Sequence, residues 1–274
     1  MPDQPIRIIF PTRDVEFDIA LDPADPSELM MIQQMSAGRC YEPEVVHVML
    51  RVVEEGDFCI DVGAHVGFFT LLLSKLVGTG SVLAFEPATG NLSRMKDNLV
   101  RNDVNNVRLI EHPAWNKPEK LRFYLNADSS GGHALWDPGL WATNERSRKL
   151  RKSYEIDAVT IDDCVHHETK LIKIDTEGAE QRILEGAHLL MLMEPPFIIA
   201  ELAPFGLKAL GCSPQALREM MQDHGYETFL IHGNGDLPSL VPRTTEIEYM
   251  LGMAVMNIMF STLENVSKYW SKVP

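Results

Sequence analysis

The sequence has few cysteines and none in a pattern that would put them to use. Cys40, Cys59, Cys164 and Cys212 are widely separated, with no Cys-x-x-Cys pair and no histidine at zinc-finger spacing. A zinc ribbon and a disulfide framework are therefore excluded, and reduced thiols in a cytoplasmic protein are the expectation. Long apolar runs are missing too. The most apolar stretch, Ala187 to Leu202, is interrupted by Glu194-Pro195-Pro196, leaving pieces too short to span a bilayer. The first residues, Met1-Pro2-Asp3-Gln4, lack the basic region and apolar run of a signal peptide, so none is expected. Positive charge is scarce: 25 Lys+Arg face 39 Asp+Glu, a formal net charge of −14. A surface that acidic repels phosphate backbones, and neither nucleic acid nor membrane is expected as a partner.

What is present is a folded chain. The 274 residues are 45% hydrophobic and 23% charged, which excludes disordered, collagen-like and coiled-coil classes. Ile6 to Phe10 and Val15 to Ile19 are β-rich runs flanking Pro11-Thr12-Arg13-Asp14, the composition of a hairpin. Pro26 to Gly38 and Glu42 to Glu55 read as helices, and residues 1–55 as an N-terminal cap on a domain of residues 56–274. That domain alternates two periods. Phe58 to Val62, Ser81 to Phe85 and Val107 to Ile110 read as strands, with helices at Phe68 to Val77 and Asn91 to Asn102. A second series has strands at Leu171 to Ile174, Phe197 to Leu202 and Glu227 to Ile231, with helices at Ala179 to Met193 and Pro214 to His224. Strand and helix in alternation imply a parallel sheet with right-handed crossovers. Met253 to Phe260 reads as a final edge strand, with an antiparallel orientation left open. Between Leu121 and Asp157 lies a break-rich segment with Gly131-Gly132 and the basic cluster Arg146, Arg148, Lys149, Arg151, Lys152. Residues 126–156 are read there as a lid insertion, and the basic cluster as a solvated helix face rather than an anchor for an anion.

The motif with most chemistry is Asp61-Val62-Gly63-Ala64-His65-Val66-Gly67, between a strand and a helix. Glycines there let the backbone approach a ligand, and the helix start offers unpaired N–H groups to an anion. Phe85-Glu86-Pro87 closes the next strand, where a carboxylate can accept from both hydroxyls of a ribose. Together they favour an adenosine-type ligand. The turn lacks the Gly-x-Gly-x-x-Gly spacing that serves a pyrophosphate, whereas S-adenosylmethionine has no phosphates, and Asp61 suits its methionine end.

These motifs, with Asn91, Lys173-Ile174-Asp175-Thr176-Glu177-Gly178-Ala179-Glu180 and Leu184-Glu185-Gly186-Ala187, resemble the FkbM-type methyltransferases from about Tyr41 to Phe260. The Lys173 segment is the most specific part. The resemblance implies a Rossmann-like class I methyltransferase fold, α/β, with a mostly parallel seven-stranded sheet and helices on both faces. It implies S-adenosylmethionine as donor and O-methylation of a hydroxyl on a sugar or other secondary metabolite. In that reading Asp61, Gly63, Ala64, His65, Gly67, Glu86, Pro87, Ala114, Trp115 and Asp175 hold the cofactor, with Ala114-Trp115 as the adenine wall. A nicotinamide oxidoreductase on the same sheet and a non-catalytic cofactor-binding module are the alternatives.

Residue chemistry adds candidates for the proton acceptor. On a strand, Lys173 and Asp175 project to one face, and Glu177 follows in the turn. His133, after Gly131-Gly132, titrates near neutrality. His133, Asp175 and Glu177 are thus the candidate bases, and nothing in the sequence chooses among them. Glu201 closes the Phe197 strand at the edge where open α/β sheets bind ligands. Glu42, beside Tyr41, also suits a helix N-terminus. His166-His167 reads as surface and the 14 methionines as core. No residue set suggests a metal. The expected partner is a small-molecule or glycan acceptor, with a homo-oligomer possible.

Overall fold

The computed structural model describes residues 4–165, 167–247, 250 and 255–271. Its first elements are β1 (Ile6–Phe10), β2 (Val15–Ile19), α1 (Pro26–Ser36), α2 (Pro43–Val52), β3 (Phe58–Val62), α3 (Phe68–Val77), β4 (Ser81–Phe85), α4 (Thr89–Arg101) and β5 (Val107–Ile110). Then come β6 (Glu119–Tyr124), α5 (Glu145–Leu150), β7 (Ser153–Ala158), α6 (Ile161–Cys164), β8 (Leu171–Ile174), α7 (Glu180–Glu185) and α8 (His188–Leu192). The chain finishes with β9 (Phe197–Leu202), α9 (Pro204–Ala209), α10 (Pro214–Asp223), β10 (Glu227–Leu230), β11 (Ser239–Leu240), β12 (Met256–Ser261) and α11 (Leu263–Trp270). These gather into two compact units. One comprises Met1–Tyr41, Glu54–Pro113 and Lys120–Asp157, the other Glu42–Val53, Ala114–Glu119 and Ala158–Pro274. The span 1–55 expected as a cap is divided between them.

In the first unit β3, β4 and β5 are parallel neighbours, with Ile60 opposite Leu83 and Val82 opposite Val107. Cys59, Ile60, Val62 and Val82 to Phe85 are all buried, the near-continuous apolar run of strands covered on both faces. α3 and α4 make the two crossovers. Gly80, just before β4, lies so close to the loop leading into β3 that a Cβ would lie 2.0 Å from the Asp57 carbonyl oxygen. The β1–β2 hairpin pairs antiparallel from Ile6 with Ile19 to Phe10 with Val15. Phe17 packs edge-on to Phe68 at 5.7 Å. The side-chain amides of Asn98 in α4 and Asn102 just after it exchange hydrogen bonds with the backbone of Ala20, just after β2, and of Asp18 in β2. Strands β6 and β7 pair with one another inside the segment read as loop. Their alternation is masked in the sequence by charged outward residues such as Lys120 and Arg122. The basic cluster lies on α5 and just beyond it, exposed, as expected of a solvated face.

In the second unit the strand order is β11-β10-β12-β9-β8. Only β8 and β9 run parallel; β12 is antiparallel to both β9 and β10. One expected strand, the strand count and one expected helix are corrected here. The run beginning at Met253 forms a strand only from Met256, and Met253 and Ala254 lie outside the described residues. That strand is interior rather than an edge, consistent with the complete burial of Ile258, Met259 and Phe260. With three sheet strands in the first unit and five here, there is one more than the seven expected, the two-residue β11. The expected helix from Ala179 to Met193 is two, α7 and α8, separated at Gly186. A Cβ there would come within 2.1 Å of the Trp115 carbonyl oxygen, so close backbone contact breaks the helix. All four cysteines are free thiols. Among the described residues no helix is long and apolar enough to cross a membrane.

Candidate functional site

The first unit brings the glycine turn and the second-strand acid together. The Gly63 and Ala64 amides both donate to the Phe85 carbonyl oxygen at 3.0 Å, tying the turn after β3 to the tip of β4. Gly63, His65 and Gly67 all take left-handed backbone, with φ of 84°, 53° and 94°. For His65 this is a costly conformation held by its surroundings. It aims the His65 amide at Glu86, donating to Oε2 at 2.8 Å, while the Ala88 amide donates to Oε1 at 2.8 Å. Glu86 is buried. Burial pushes its carboxyl up to about 7 against the hydrogen bonds from Ala88, His65 and Asn91, with the Asp61 charge adding to the rise.

That donor set fits an adenosyl cofactor. A carboxylate offers about four lone-pair sites, so acceptor capacity for a hydroxyl remains on Glu86. Helix α3 starts with no side-chain cap, leaving N–H groups for a carboxylate such as the methionine end of S-adenosylmethionine. Asp61 is fully buried and accepts from the Thr70 hydroxyl of α3. Gly67 also serves packing, since a Cβ would meet Met95 Cγ at 3.0 Å. The Pro87 carbonyl accepts from the Tyr154 hydroxyl at 3.0 Å.

The segment read as a lid lies on this turn. His65 Nε2 and Ser130 Oγ are 2.7 Å apart. The Asn91 amide donates to the Ser130 carbonyl, and the Ser130 amide donates to Asp25 Oδ2 at 2.9 Å. Sequence reading passed over Ser130 because nothing marks a serine in a loop until the loop is placed. His133 is nearby in the same segment, and its Nδ1 accepts from the Asn126 amide at 2.9 Å. Burial pulls its pKa down to about 4, so near neutrality the ring is uncharged and carries its hydrogen on Nε2.

The second unit holds the other candidates. Ala114 and Trp115 are buried, with the Trp115 amide bonded to the Val159 carbonyl and its indole N–H to Glu119 Oε1. Lys173 and Asp175 do converge: Nζ donates to Oδ2 at 2.8 Å, with Lys173 almost fully buried. Glu177 takes left-handed backbone, φ 58°. Burial, followed by the Asp175 and Glu180 charges, pushes its carboxyl up to about 8. The next residue, Gly178, has φ 113° and packs on Gly206 so tightly that a Cβ would lie 2.2 Å from Gly206 backbone. Glu180 stabilises the turn, its Oε1 accepting from the Gly178 amide at 2.9 Å and the Thr176 hydroxyl at 3.0 Å. Glu201 joins Asp175 and Glu177. Burial, their charges, a hydrogen bond to Asp175 and the Glu42 charge all push its carboxyl well above the usual range. Two members were absent from the sequence reading. Asn257 stands opposite Glu201 in register and donates to Glu42 and Glu44. Only the pairing of β12 with β9 reveals them. Among the described residues no cluster of three or more His, Cys, Asp or Glu could hold a metal ion.

A family model described as the Methyltransferase FkbM domain matches residues 61–228, more than half of the chain, including the glycine turn, Glu86 and the Lys173 segment. Methyltransferase 1 of Beauveria bassiana (strain ARSEF 2860) is 22% identical over 188 residues, covering 62% of this chain and 72% of that protein. Among solved structures, the methyltransferase FkbM of Methylobacillus flagellatus KT is 16% identical with a TM-score of 0.46, covering 86% of this chain; this chain spans 59% of its length. A putative methyltransferase from Streptococcus mutans in complex with SAH is 14% identical with a TM-score of 0.46, covering 82% of this chain and 99% of its own.

Proposed function

The chain belongs to the FkbM methyltransferase family, whose methyl donor is S-adenosylmethionine, and from that premise we propose that it methylates a hydroxyl oxygen of a small molecule or glycan. The donor supplies a methyl group already activated on a sulfonium. Positioning therefore provides much of the acceleration, and the protein's remaining task is to take the hydroxyl proton.

The observation that carries this reading is the Glu177 carboxyl, half-buried on left-handed backbone and pushed up to about 8. A base works best when its pKa lies close to the working pH, and a left-handed non-glycine residue in a site is commonly held there for function. His133 is poorly suited, since its Nδ1 is occupied and its ring stays neutral with Nε2 protonated. We assign it to shaping the loop. Asp175, paired with Lys173, positions the neighbouring carboxyls. In the first unit Glu86 accepts from the ribose, the uncapped start of α3 takes the methionine carboxylate, and Asp61 positions that helix through Thr70.

Incubation with methyl-labelled S-adenosylmethionine and a panel of hydroxyl-bearing acceptors tests the proposal. Label in an ether-linked methyl, with a rate that rises as pH approaches 8, supports it. Binding of S-adenosylhomocysteine without turnover on any acceptor favours the non-catalytic module instead, and family membership leaves the nicotinamide alternative without support.

A further inference from the structure

Within the second unit a cavity of about 390 Å3 opens beside strands β10 and β12, inside the ~300–1,000 Å3 range of small-molecule sites. Its lining has two chemistries. Leu230, Ile231 and Met256 present an apolar side, and Glu44, Glu201 and Asn257 a polar one. None of the described residues lining it is a lysine or arginine, and the histidine among them, His232, has Nε2 2.9 Å from Ser239 Oγ.

The polar side is organised by one amide. Asn257 Nδ2 donates to Glu44 Oε1 at 3.0 Å and to Glu42 Oε2 at 3.2 Å, and its strand position is opposite Glu201. A neutral amide orients the carboxylates without cancelling their charge. Burial, followed by the Asp175 and Glu177 charges, a hydrogen bond to Asp175 and the Glu42 charge, raises the Glu201 carboxyl, so Glu42 and Glu44 carry the negative charge on this side. A bound anion would add to that charge; a bound cation offsets it. An ammonium brings three donors and one positive charge, matching acceptors on Glu44 and Glu201, while the C–H face of a ring matches the apolar side.

We propose that this cavity is the acceptor subsite and selects a hydroxyl-bearing acceptor that also carries a protonated amine, as an amino sugar does. The inference rests on the methyltransferase reading only for the word acceptor; the cavity's charge preference stands on its own lining.

Isothermal titration of the full chain at about pH 6.5, where the amine is protonated, with glucosamine, glucose and glucuronate tests it. Glucosamine should bind about 10-fold tighter than glucose, with glucuronate weakest. Glu44→Gln should bring glucosamine and glucose to within about 2-fold of each other. Val255 lines the cavity and is half exposed, so Val255→Lys should fold and should abolish the preference by placing a cation at the rim. Affinity for S-adenosylhomocysteine, unchanged in both variants, serves as the folding control. Glucose or glucuronate binding as tightly as glucosamine, binding of none of the three, or a preference that survives in both variants overturns the proposal. Failure of the wild type to bind S-adenosylhomocysteine would instead count against the methyltransferase reading, whatever the sugars do.

Discussion

Two desolvated glutamates, the buried Glu86 in the first unit and the half-buried Glu177 in the second, have opposite surroundings. Glu86 is surrounded by donors: amides of His65 and Ala88 reach one oxygen each, and hydrogen bonds restrain the rise that burial causes. Glu177 has carboxylates for neighbours, and Asp175 and Glu180 add to what burial does. A donor-rich carboxylate is built to hold its place in a hydrogen-bond network, which is binding. A carboxyl crowded by like charge is built to exchange a proton, which is chemistry. The first arrangement needs a turn that aims amides inward, hence the left-handed His65. The second needs a turn that carries a side chain into a crowded place, hence the left-handed Glu177.

The sharpest way to break the contrast is Glu177→Gln. It should lower kcat by roughly 10²- to 10⁴-fold, the usual worth of a general base, with affinity for S-adenosylhomocysteine unaltered by titration. Equal losses in both would show that Glu177 binds rather than reacts. Next in size is Gly206→Ala. Its Cβ would fall 2.0 Å from the Glu177 carbonyl oxygen, so thermal or urea unfolding should show a loss of about 3 kcal/mol or more. Retained stability would mean the Glu177 turn is less tightly held than the packing implies.

The Glu86 carboxyl sharpens the comparison through pH. Its folded pKa of about 7 lies above the ordinary 4.5, so the folded chain keeps a proton that the unfolded chain releases. The associated stability is fully present below about pH 4.5 and is lost as pH rises through 7. For Glu86 the loss is on the order of 3 kcal/mol, and urea unfolding at acid and alkaline pH should show Glu86→Gln with a correspondingly flatter dependence. An unchanged slope would remove the proton from Glu86. The smallest effect is expected for Ser130→Ala. Losing one hydrogen bond to His65 should change S-adenosylhomocysteine affinity by about 0.5–1.5 kcal/mol. A larger loss would make the 126–156 segment part of the binding surface itself.

The sequence was legible where a local pattern decides the structure. The apolar runs at Phe58 to Val62, Ser81 to Phe85 and Val107 to Ile110, and the helix at Phe68 to Val77, have the boundaries read from periodicity alone. So has the convergence of Lys173 with Asp175, which follows from strand alternation. What was illegible depends on partners distant in the chain. Gly186 breaks a helix because Trp115 backbone lies against it. The strand from Met256 to Ser261 is interior because β10 and β9 flank it. Asn257 gains its meaning only from that pairing, and the neutrality of His133 only from burial and the Asn126 amide.

The account turns on Glu86 as the acceptor for the cofactor's ribose, and titration of S-adenosylhomocysteine into wild type and Glu86→Ala tests that directly. Charge-assisted hydrogen bonds lost from a buried site should weaken binding by about 2–4 kcal/mol, or roughly 30- to 700-fold in Kd. Equal affinity in a variant that remains folded would contradict it.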